Sequence, residues 1–449
     1  MPNRKATVLD MTQGNAVRMI LTFAIPLFIG NIFQQVYSMV DTMVAGYCLG
    51  DQAIAAIGST SSLYGLVIDL AWGLNSGFAL IVTQAFGAHE PGKIRRSIGH
   101  MMVLDGLIAI VLTAFALIFL PSLMRLMNTP ESIFDQAYSY MMVIFAGMTA
   151  TICYNMFAGI LRAFGNSRTP LYFLIFSSLL NIALDLLFVA VFHMGVSGAA
   201  LATVAAQTVS GILTGMYVYR NYRGMLPAKE DFRLEKGLAG EMFTTGAAMG
   251  FMYSVVDLGS VVFQGAANAL GETYIAAHTA ARRVINILMQ PMSGIMNASG
   301  TFVGQNWGAR QKQRIRDTLK RILGMEIAWG LFSCLVVYLF GGAIIRFLTG
   351  TNSGEILDNA VMSLRIHFPF FPVLGVLLVM RVSMQSMGQK TAPVVSSVIE
   401  LLMKIAAALW LIPSFGFAGV CVTEPAAWVM MTAFLITVYM MKTRKLLAG

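Results

Sequence analysis

One face of an apolar segment near the start of the chain carries a row of polar side chains. They recur at intervals of three or four residues, which aligns them along one side of a helix. A carboxylate inside a membrane span costs about 2.5–3.5 kcal/mol on insertion scales, so such a row faces the protein interior or a cavity. Asp41 is therefore a candidate functional residue. The row consists of Asn31, Gln34, Ser38 and Asp41, and Tyr37 borders it.

A second polar pair lies in a later apolar segment. Asn181 and Asp185 are four residues apart and share a helix face, and Thr203 in the next segment adds a hydroxyl. The oxygens of such groups suit Na+, which is a hard cation. If Asp185 lies close to Asp41, the two carboxyls would titrate as a pair, and one site would serve either H+ or Na+. The alternative is that both are structural carboxyls satisfied by neighbouring hydroxyls and amides.

The amino-acid composition indicates what kind of secondary structure holds these polar side chains in place. Hydrophobic residues make up 57% of the 449-residue chain, and charged residues make up only 11%, against about 25% in soluble domains. Apolar runs of 20 residues or more recur along the chain, and each is long enough to cross a bilayer. We predict an all-α polytopic membrane protein. The net charge of +9 lies in short loops, so we expect no nucleic-acid partner. Cysteine and histidine are dispersed, so we expect no metal cluster and no cofactor.

Twelve transmembrane helices are predicted, which places both termini on one side. Loops on that side carry 23 Lys and Arg residues, including Arg4, Lys5, Arg444 and Lys445, and the other loops carry only Arg125 and Arg346. By the positive-inside rule, both termini are cytoplasmic. The predicted helices are 17–47, 53–86, 94–120, 132–163, 169–192, 197–222, 237–269, 272–306, 313–342, 356–387, 392–413 and 417–441.

The chain contains an internal repeat. "LGDQAIAA" at 49–56 recurs as "LGETYIAA" at 270–277, and the same offset aligns loop residues such as Arg95 with Arg316. The repeat predicts two pseudo-symmetric six-helix bundles, an N-lobe at 1–225 and a C-lobe at 226–449. Because six is even, both lobes have the same orientation in the membrane. A cavity between them near the midplane is typical of a transporter.

The sequence resembles the multidrug and toxic compound extrusion (MATE) family over nearly its whole length. The resemblance rests on "IPLFIGNIFQQVYSMVDTMVAGYCLG" (25–50), "LRAFGNSRTP" (161–170), "LNIALDLLF" (180–188), "GVSGAALAT" (195–203) and "VGQNWGA" (303–309). The details look closest to DinF-like bacterial members. The resemblance implies a multi-pass protein of the bacterial inner membrane that exports organic compounds, cationic or amphipathic, in exchange for H+ or Na+. We expect a monomer whose partners are small organic substrates and membrane lipids.

The resemblance also implies roles for individual residues. It places a cation-coupling site at Asp41, Asn181, Asp185 and Thr203. We expect Gln34, Tyr37 and Asn155 to contact substrate. Pro26 removes one backbone hydrogen bond from its helix and offers a point of bending.

The second half departs from this pattern. Under the repeat, Asn181 corresponds to Lys404 and Thr203 to Glu424, and Glu400 lies four residues before Lys404. We hypothesise that the Lys404 ammonium occupies the C-lobe's equivalent of the cation site. A plain structural ion pair is the alternative. One family branch has an acidic pair on helices 7 and 10, but here only Asp257 on helix 7 is present, because the interior of helix 10 carries no acidic residue.

Several features keep other interpretations open. "HMMVLD" (100–105) fits an acyltransferase HxxxxD pattern but lies in a membrane helix without a second motif, so we do not expect an enzyme. A flippase for lipid-linked precursors is the closer alternative, although flippases often have two further helices and a cationic cavity. Asp69, Asp105 and Glu326 lie in apolar surroundings without an assigned role, and Arg282 and Arg283 are candidate partners for some of these acids.

Overall fold

The structure is a computed structural model that describes residues 8–127, 129–350 and 353–443. Every regular element in these ranges is helical, as the composition predicts. The terminal basic residues Arg4, Lys5, Arg444 and Lys445, which entered the charge argument, lie outside the described residues.

Each of the twelve predicted helices corresponds to a helix of the structure. Short segments of 3₁₀ or π geometry occur within or at the ends of some of them. The helices are α1 (Ala16–Leu49), α2 (Asp51–Gly87), α3 (Pro91–Leu126), α4 (Glu131–Ala146 and Met148–Ala163), α5 (Arg168–Val191), α6 (Gly195–Asn221), α7 (Lys236–Asn268), α8 (Glu272–Gly308), α9 (Lys312–Thr349), α10 (Gly354–Ser386), α11 (Thr391–Phe415) and α12 (Phe417–Lys442).

Ten of these helices are long and apolar enough to cross a membrane, and the two pieces of α4 together make an eleventh span. The remaining helix, α8, is 37 residues long but is more polar than the others. Its polar side chains include His278 and Arg282, which belong to an ionic network described below. The polarity of α8 therefore has a packing reason.

The bend in α4 is located at a glycine. The two pieces of α4 meet at Gly147 at an angle of 44°. A Cβ atom at Gly147 would collide with the side chain of Val204 on α6. The absence of a side chain thus lets α6 approach α4 closely at this point, and the helix changes direction there.

A break in α10 lies at Pro369 and Pro372. Residues Phe368–Phe370 form a single 3₁₀ turn between the α-helical pieces Gly354–His367 and Phe371–Ser386. Pro369 and Pro372 lack the backbone N–H that would continue the α-helical hydrogen bonds. The two prolines therefore account for the break in this helix.

The chain divides into two compact units, and the backbone repeats the offset seen in the sequence. Unit 1 contains the described residues up to Met11 together with Pro26–Gly250, and unit 2 contains Thr12–Ile25 and the described residues from Phe251 onward. Left-handed backbone conformations recur at equivalent positions of the repeat. The pairs are Gly50 with Gly271, His89 with Arg310, Gly195 with Gly416, and Gly165 with Gly388.

Two pairs of glycines bring α2 and α7 into close contact inside unit 1. Gly73 and Gly77 on α2 face Gly250 and Gly246 on α7, and an added Cβ atom at either α2 position would meet the α7 backbone. Small residues at this spacing allow helices in a membrane to approach closely. The stretch "GAAMG" (246–250) is therefore a helix-packing motif.

Two groups of buried apolar side chains form the core of unit 1. One group lies around Phe78, Met101 and Phe164, and the other lies around Leu63, Met141 and Phe145. Both groups draw side chains from α2, α3 and α4, so these helices form the scaffold of the unit.

Candidate functional site

The two carboxyl groups singled out in the sequence meet in unit 1. The side chains of Asp41 on α1 and Asp185 on α5 lie within hydrogen-bonding range of each other. Asp185 is fully buried, and Asp41 is half-buried. The structure therefore brings together two helices whose acidic residues are far apart in the sequence.

Three further side chains complete this acidic site. The Asn181 amide donates a hydrogen bond to the Thr203 hydroxyl at 3.4 Å, and that hydroxyl donates to the backbone carbonyl of Ala199 at 3.1 Å. A side-chain hydrogen bond joins Tyr37 to Thr203. We call Tyr37, Asp41, Asn181, Asp185 and Thr203 the acidic site.

The local geometry of α5 explains how Asp185 is presented. Asn181 and Asp185 are one helical turn apart, so both point to the same side of α5. The α-helix ends at Asp185, and a π-helical segment, Leu186–Val191, follows directly. Such π segments are frequent at functional sites. Another π segment, Ala407–Leu411, begins within two residues of the repeat-equivalent position of unit 2, so the feature belongs to the repeat.

The acidic site holds oxygen atoms that accept no hydrogen bond. Both carboxyl oxygens of Asp185 and the amide oxygen of Asn181 are buried, and none has a hydrogen-bond donor among the described residues. Two facing carboxylates repel each other and have no proton to share. A proton between them would give the carboxyl pair a shared hydrogen bond, and a cation coordinated by these oxygens would satisfy the Asn181 oxygen as well. Carboxylate and amide oxygens are of a type that suits a hard cation such as Na+.

Aromatic residues surround the carboxyl pair. Tyr140 on α4 lies close enough to interact electrostatically with both Asp41 and Asp185, and Tyr64 on α2 lies beside Tyr140. Sequence reasoning missed Tyr140. Nothing in the sequence distinguishes it from the other tyrosines, because its position depends on how α4 packs.

The predicted substrate residues are not gathered into one cluster of contacts. Tyr37 belongs to the acidic site, whereas Gln34 is exposed on α1 and Asn155 is half-buried on α4. Neither Gln34 nor Asn155 makes a side-chain hydrogen bond within the part of the chain that the structure describes. Pro26 lies inside α1 and is the first residue of that helix that belongs to unit 1, because the residues before it belong to unit 2.

Unit 2 contains a basic cluster at the repeat-equivalent position. The Lys404 ammonium donates to Glu400 at 2.9 Å and to the Ser260 hydroxyl at 2.9 Å. Arg381 lies 3.6 Å from the other Glu400 oxygen and donates to Ser396 at 3.1 Å. The predicted pairing of Glu400 with Lys404 is confirmed. Arg381, which the sequence did not single out as a partner, makes it a three-residue network.

A second ionic group in unit 2 is centred on Glu424. Arg282 donates to one Glu424 oxygen at 2.5 Å, and His367 lies 3.6 Å from the other. Lys404 is near enough to Glu424 to contribute electrostatically. The expectation that Arg282 pairs with Asp69, Asp105 or Glu326 was therefore wrong, since Glu424 takes it. The reason is helix packing, which brings α8 and α12 together in the same unit.

Two further buried acids occupy equivalent positions in the two units. Asp105 on α3 accepts a hydrogen bond from Asn75 at 2.9 Å. Its repeat equivalent, Glu326 on α9, packs against Gly375, and neither of its carboxyl oxygens has a hydrogen-bond partner among the described residues. The repeat thus retains the position of a buried acid but not its partner.

Comparison with known proteins gives one consistent picture. The sequence profile of the MatE family matches residues 26–187 and 248–410. "Probable multidrug resistance protein YpnP" of Bacillus subtilis is 26% identical over 82% of this chain and 82% of its own length. "DNA damage-inducible protein F" of Escherichia coli is 25% identical over 79% of this chain and 76% of its own length.

Solved structures share the fold. The chain of a crystal structure described as "MATE in complex with MaL6" superimposes with a TM-score of 0.90. The alignment covers 100% of both chains at 20% sequence identity. At that identity, the likeness concerns the arrangement of the helices.

Proposed function

The chain belongs to the MatE family of membrane transporters, and from that premise we propose that it exports organic compounds by antiport, in exchange for H+ or Na+. Members of this family are transporters and not enzymes. Relatives named as multidrug resistance proteins support an organic, cationic or amphipathic substrate. The observation that carries the proposal is the meeting of Asp41 and Asp185 in unit 1.

We propose that the acidic site takes the coupling ion. With both carboxyls charged, their mutual repulsion and the buried acceptors of Asp185 and Asn181 make the site unstable. A proton bound between the carboxyls, or Na+ held by their oxygens together with those of Asn181 and Thr203, removes this instability. Ion binding therefore favours a compact arrangement of α1, α5 and α6.

Movement of α1 links ion binding to substrate release in this proposal. Tyr37 and Asp41 lie on α1, and Pro26 lies in the same helix, nearer to its first residue. A proline interrupts the backbone hydrogen bonds, so the helix bends there at low cost. When the ion draws Asp41 toward Asp185, α1 would bend near Pro26 and release a substrate that contacts Gln34, Tyr37 and Asn155.

The energy of the ion gradient is sufficient for this task. One elementary charge moving through about 100 mV supplies roughly 2.3 kcal/mol. That energy corresponds to about a 50-fold concentration of a neutral substrate per ion.

We further propose that unit 2 takes no coupling ion because it carries its own cation. Lys404 stands where Asn181 stands in unit 1 and donates to Glu400 at 2.9 Å. Arg381 and Arg282 add two more positive charges against Glu400 and Glu424. With three basic groups against two carboxylates, the charge of these acids is already balanced within the unit.

Transport of a cationic dye by purified protein in proteoliposomes tests the proposed function. A pH gradient and a Na+ gradient are imposed one at a time, at a controlled membrane potential. Dye movement against its own gradient, driven by either ion, is the expected result and identifies the ion.

Dye movement driven by neither gradient would overturn the antiport proposal. The flippase interpretation would then be examined with a fluorescent lipid-linked precursor in the same vesicles.

A further inference from the structure

A groove lies on the surface of unit 2 between α9 and the first half of α10. Its volume is about 700 Å³. Both helices that form it are long and apolar enough to cross a membrane, and the groove lies near the end of α9 and the start of α10. The residues important here are Val337, Gly341, Gly342, Asp358, Val361 and Arg365, all of which line it.

Arg365 places a positive charge in this groove. It is exposed, and it lies about three helical turns after the first residue of α10. Among the described residues, its guanidinium makes no ion pair and no hydrogen bond, and only its backbone carbonyl is engaged, by the Tyr338 hydroxyl at 3.0 Å. An arginine within a membrane span is costly unless it finds a negative partner. The described residues supply none here, so the guanidinium is free to pair with an anionic ligand.

Asp358 places a negative charge at the shallower end of the same groove. Asp358, Val361 and Arg365 follow one another at intervals of three and four residues, so they share one face of α10. Asp358 is exposed and has no ion-pair partner in the described ranges. It lies two turns closer to the start of α10 than Arg365. The groove therefore presents a carboxylate near the membrane surface and a guanidinium deeper in the membrane.

The rest of the groove is apolar and open. A Cβ atom added to Gly342 would meet only Val361, at 3.9 Å, and one added to Gly341 would make ordinary contacts with Val337 and Leu364. The two glycines thus leave room for a ligand. Further along α9, Leu331, Leu335 and Leu339 are exposed at four-residue spacing and form a lipid-facing row.

We propose that this groove binds a phospholipid with a phosphoethanolamine head group. The phosphate pairs with Arg365, and the primary ammonium pairs with Asp358. Such a head group carries one negative and one positive charge joined by two carbons, and the groove presents one positive and one negative side chain. The acyl chains then extend along the leucine row of α9. Phosphatidylglycerol satisfies Arg365 but brings no cation to Asp358.

Native mass spectrometry of the purified full-length protein in detergent tests this site independently of transport. Phosphatidylethanolamine and phosphatidylglycerol are added in matched titrations. We expect one phosphatidylethanolamine to bind about tenfold more tightly than phosphatidylglycerol. Asp358→Asn removes this preference. Arg365→Gln weakens binding of both lipids by about tenfold, because the charge-assisted contact to phosphate is lost.

Two further variants separate a site from a structural effect. Gly342→Leu fills the groove without altering a charge, and it should abolish retention of the lipid. Arg346→Gln removes another exposed arginine at the same end of α9 that does not line the groove, and it should bind lipid as the wild type does. Equal retention of the two lipids by the wild type, or unchanged binding in both Arg365→Gln and Gly342→Leu, would overturn the proposal.

Discussion

At the scale of single residues, the acidic site depends on one hydroxyl that joins its helices. Thr203 on α6 accepts a hydrogen bond from Asn181 on α5, and a second side-chain hydrogen bond joins it to Tyr37 on α1. It therefore holds the neutral side chains of the site in place around the carboxyls.

Thr203→Val should weaken coupling without unfolding the protein. The change keeps the shape of the side chain but removes hydrogen bonds worth about 1 kcal/mol each, so the ion concentration for half-maximal transport should rise about five- to tenfold. Transport is measured across a range of H+ or Na+ concentrations. Thr208→Val is the matched control, because Thr208 also lies on α6 and bonds only to the carbonyl of Val204. An equal effect of both variants would refute a specific role for Thr203.

Lys404→Met should destabilise the protein by about 3 kcal/mol. Lys404 is buried, and without it the Glu400 carboxylate is left with Arg381 as its ion-pair partner, at 3.6 Å. Breaking a buried ion pair costs about 3–5 kcal/mol. Thermal unfolding in detergent measures the effect. Lys320→Met, at an exposed position of α9, is the control and should be nearly neutral. The double variant Glu400→Gln/Lys404→Met should recover part of the loss; no recovery would mean that the two residues do not act as a pair.

The sequence predicted the members of the acidic site better than their surroundings. Helical spacing identified Asp41, Asn181 and Asp185, because residues one turn apart share a face whatever the tertiary structure. Tyr140 and the pairing of Arg282 with Glu424 could not be predicted, since both depend on contacts between helices distant in the sequence.

At the scale of helices, glycines decide how closely the elements of unit 1 pack. Gly77 on α2 faces Gly246 on α7 so closely that an added Cβ atom would meet its backbone. Backbone atoms cannot move aside as a flexible side chain can, so any larger residue must separate the two helices.

Gly77→Ala should therefore lower the stability of the protein by about 1–3 kcal/mol, the usual cost of overpacking. Gly58→Ala on the same helix meets open space and should be neutral or slightly stabilising, because alanine favours the helix. Thermal unfolding of both variants in detergent makes the comparison. A Gly77→Ala protein as stable as Gly58→Ala would show that the two helices can separate at no cost.

Pro26→Ala tests the proposed bending of α1. A proline in a helix interior costs about 3 kcal/mol, because it removes a backbone hydrogen bond and kinks the helix. Alanine restores that hydrogen bond and makes α1 harder to bend, so turnover should fall by about tenfold or more. Initial transport rates in proteoliposomes report the change. Pro121→Ala, which alters a proline inside α3, is the control and should transport at close to the wild-type rate. Unchanged turnover in Pro26→Ala would remove the bend from the mechanism.

Helix positions were predictable, but their interruptions were only partly so. Long apolar runs define the twelve helices, and the break in α10 lies at Pro369 and Pro372, which the sequence shows directly. The bend of α4 at Gly147 was not predicted, because it arises from the approach of Val204 on another helix. The polarity of α8 likewise reflects the ionic network that Arg282 enters.

At the scale of the whole molecule, a repeated backbone carries two different kinds of polar site. Unit 1 has two facing carboxyls without a basic partner among the described residues, and unit 2 has Glu400 and Glu424 ion-paired with Lys404, Arg381 and Arg282. Left-handed residues and π segments recur at equivalent positions in both. The repeat therefore preserves the backbone, while substitution at a few positions confines ion coupling to one unit in this account.

The measurement that tests this account most directly is gradient-driven dye transport by Asp41→Asn in proteoliposomes. Asparagine keeps the size of the side chain but cannot exchange a proton or carry the charge that attracts Na+. We predict that the variant folds and moves dye down its own gradient but no longer accumulates it in response to H+ or Na+. Asp135→Asn, at an exposed position of α4 in the same unit, should remain coupled. Full gradient-driven accumulation by Asp41→Asn would contradict the account.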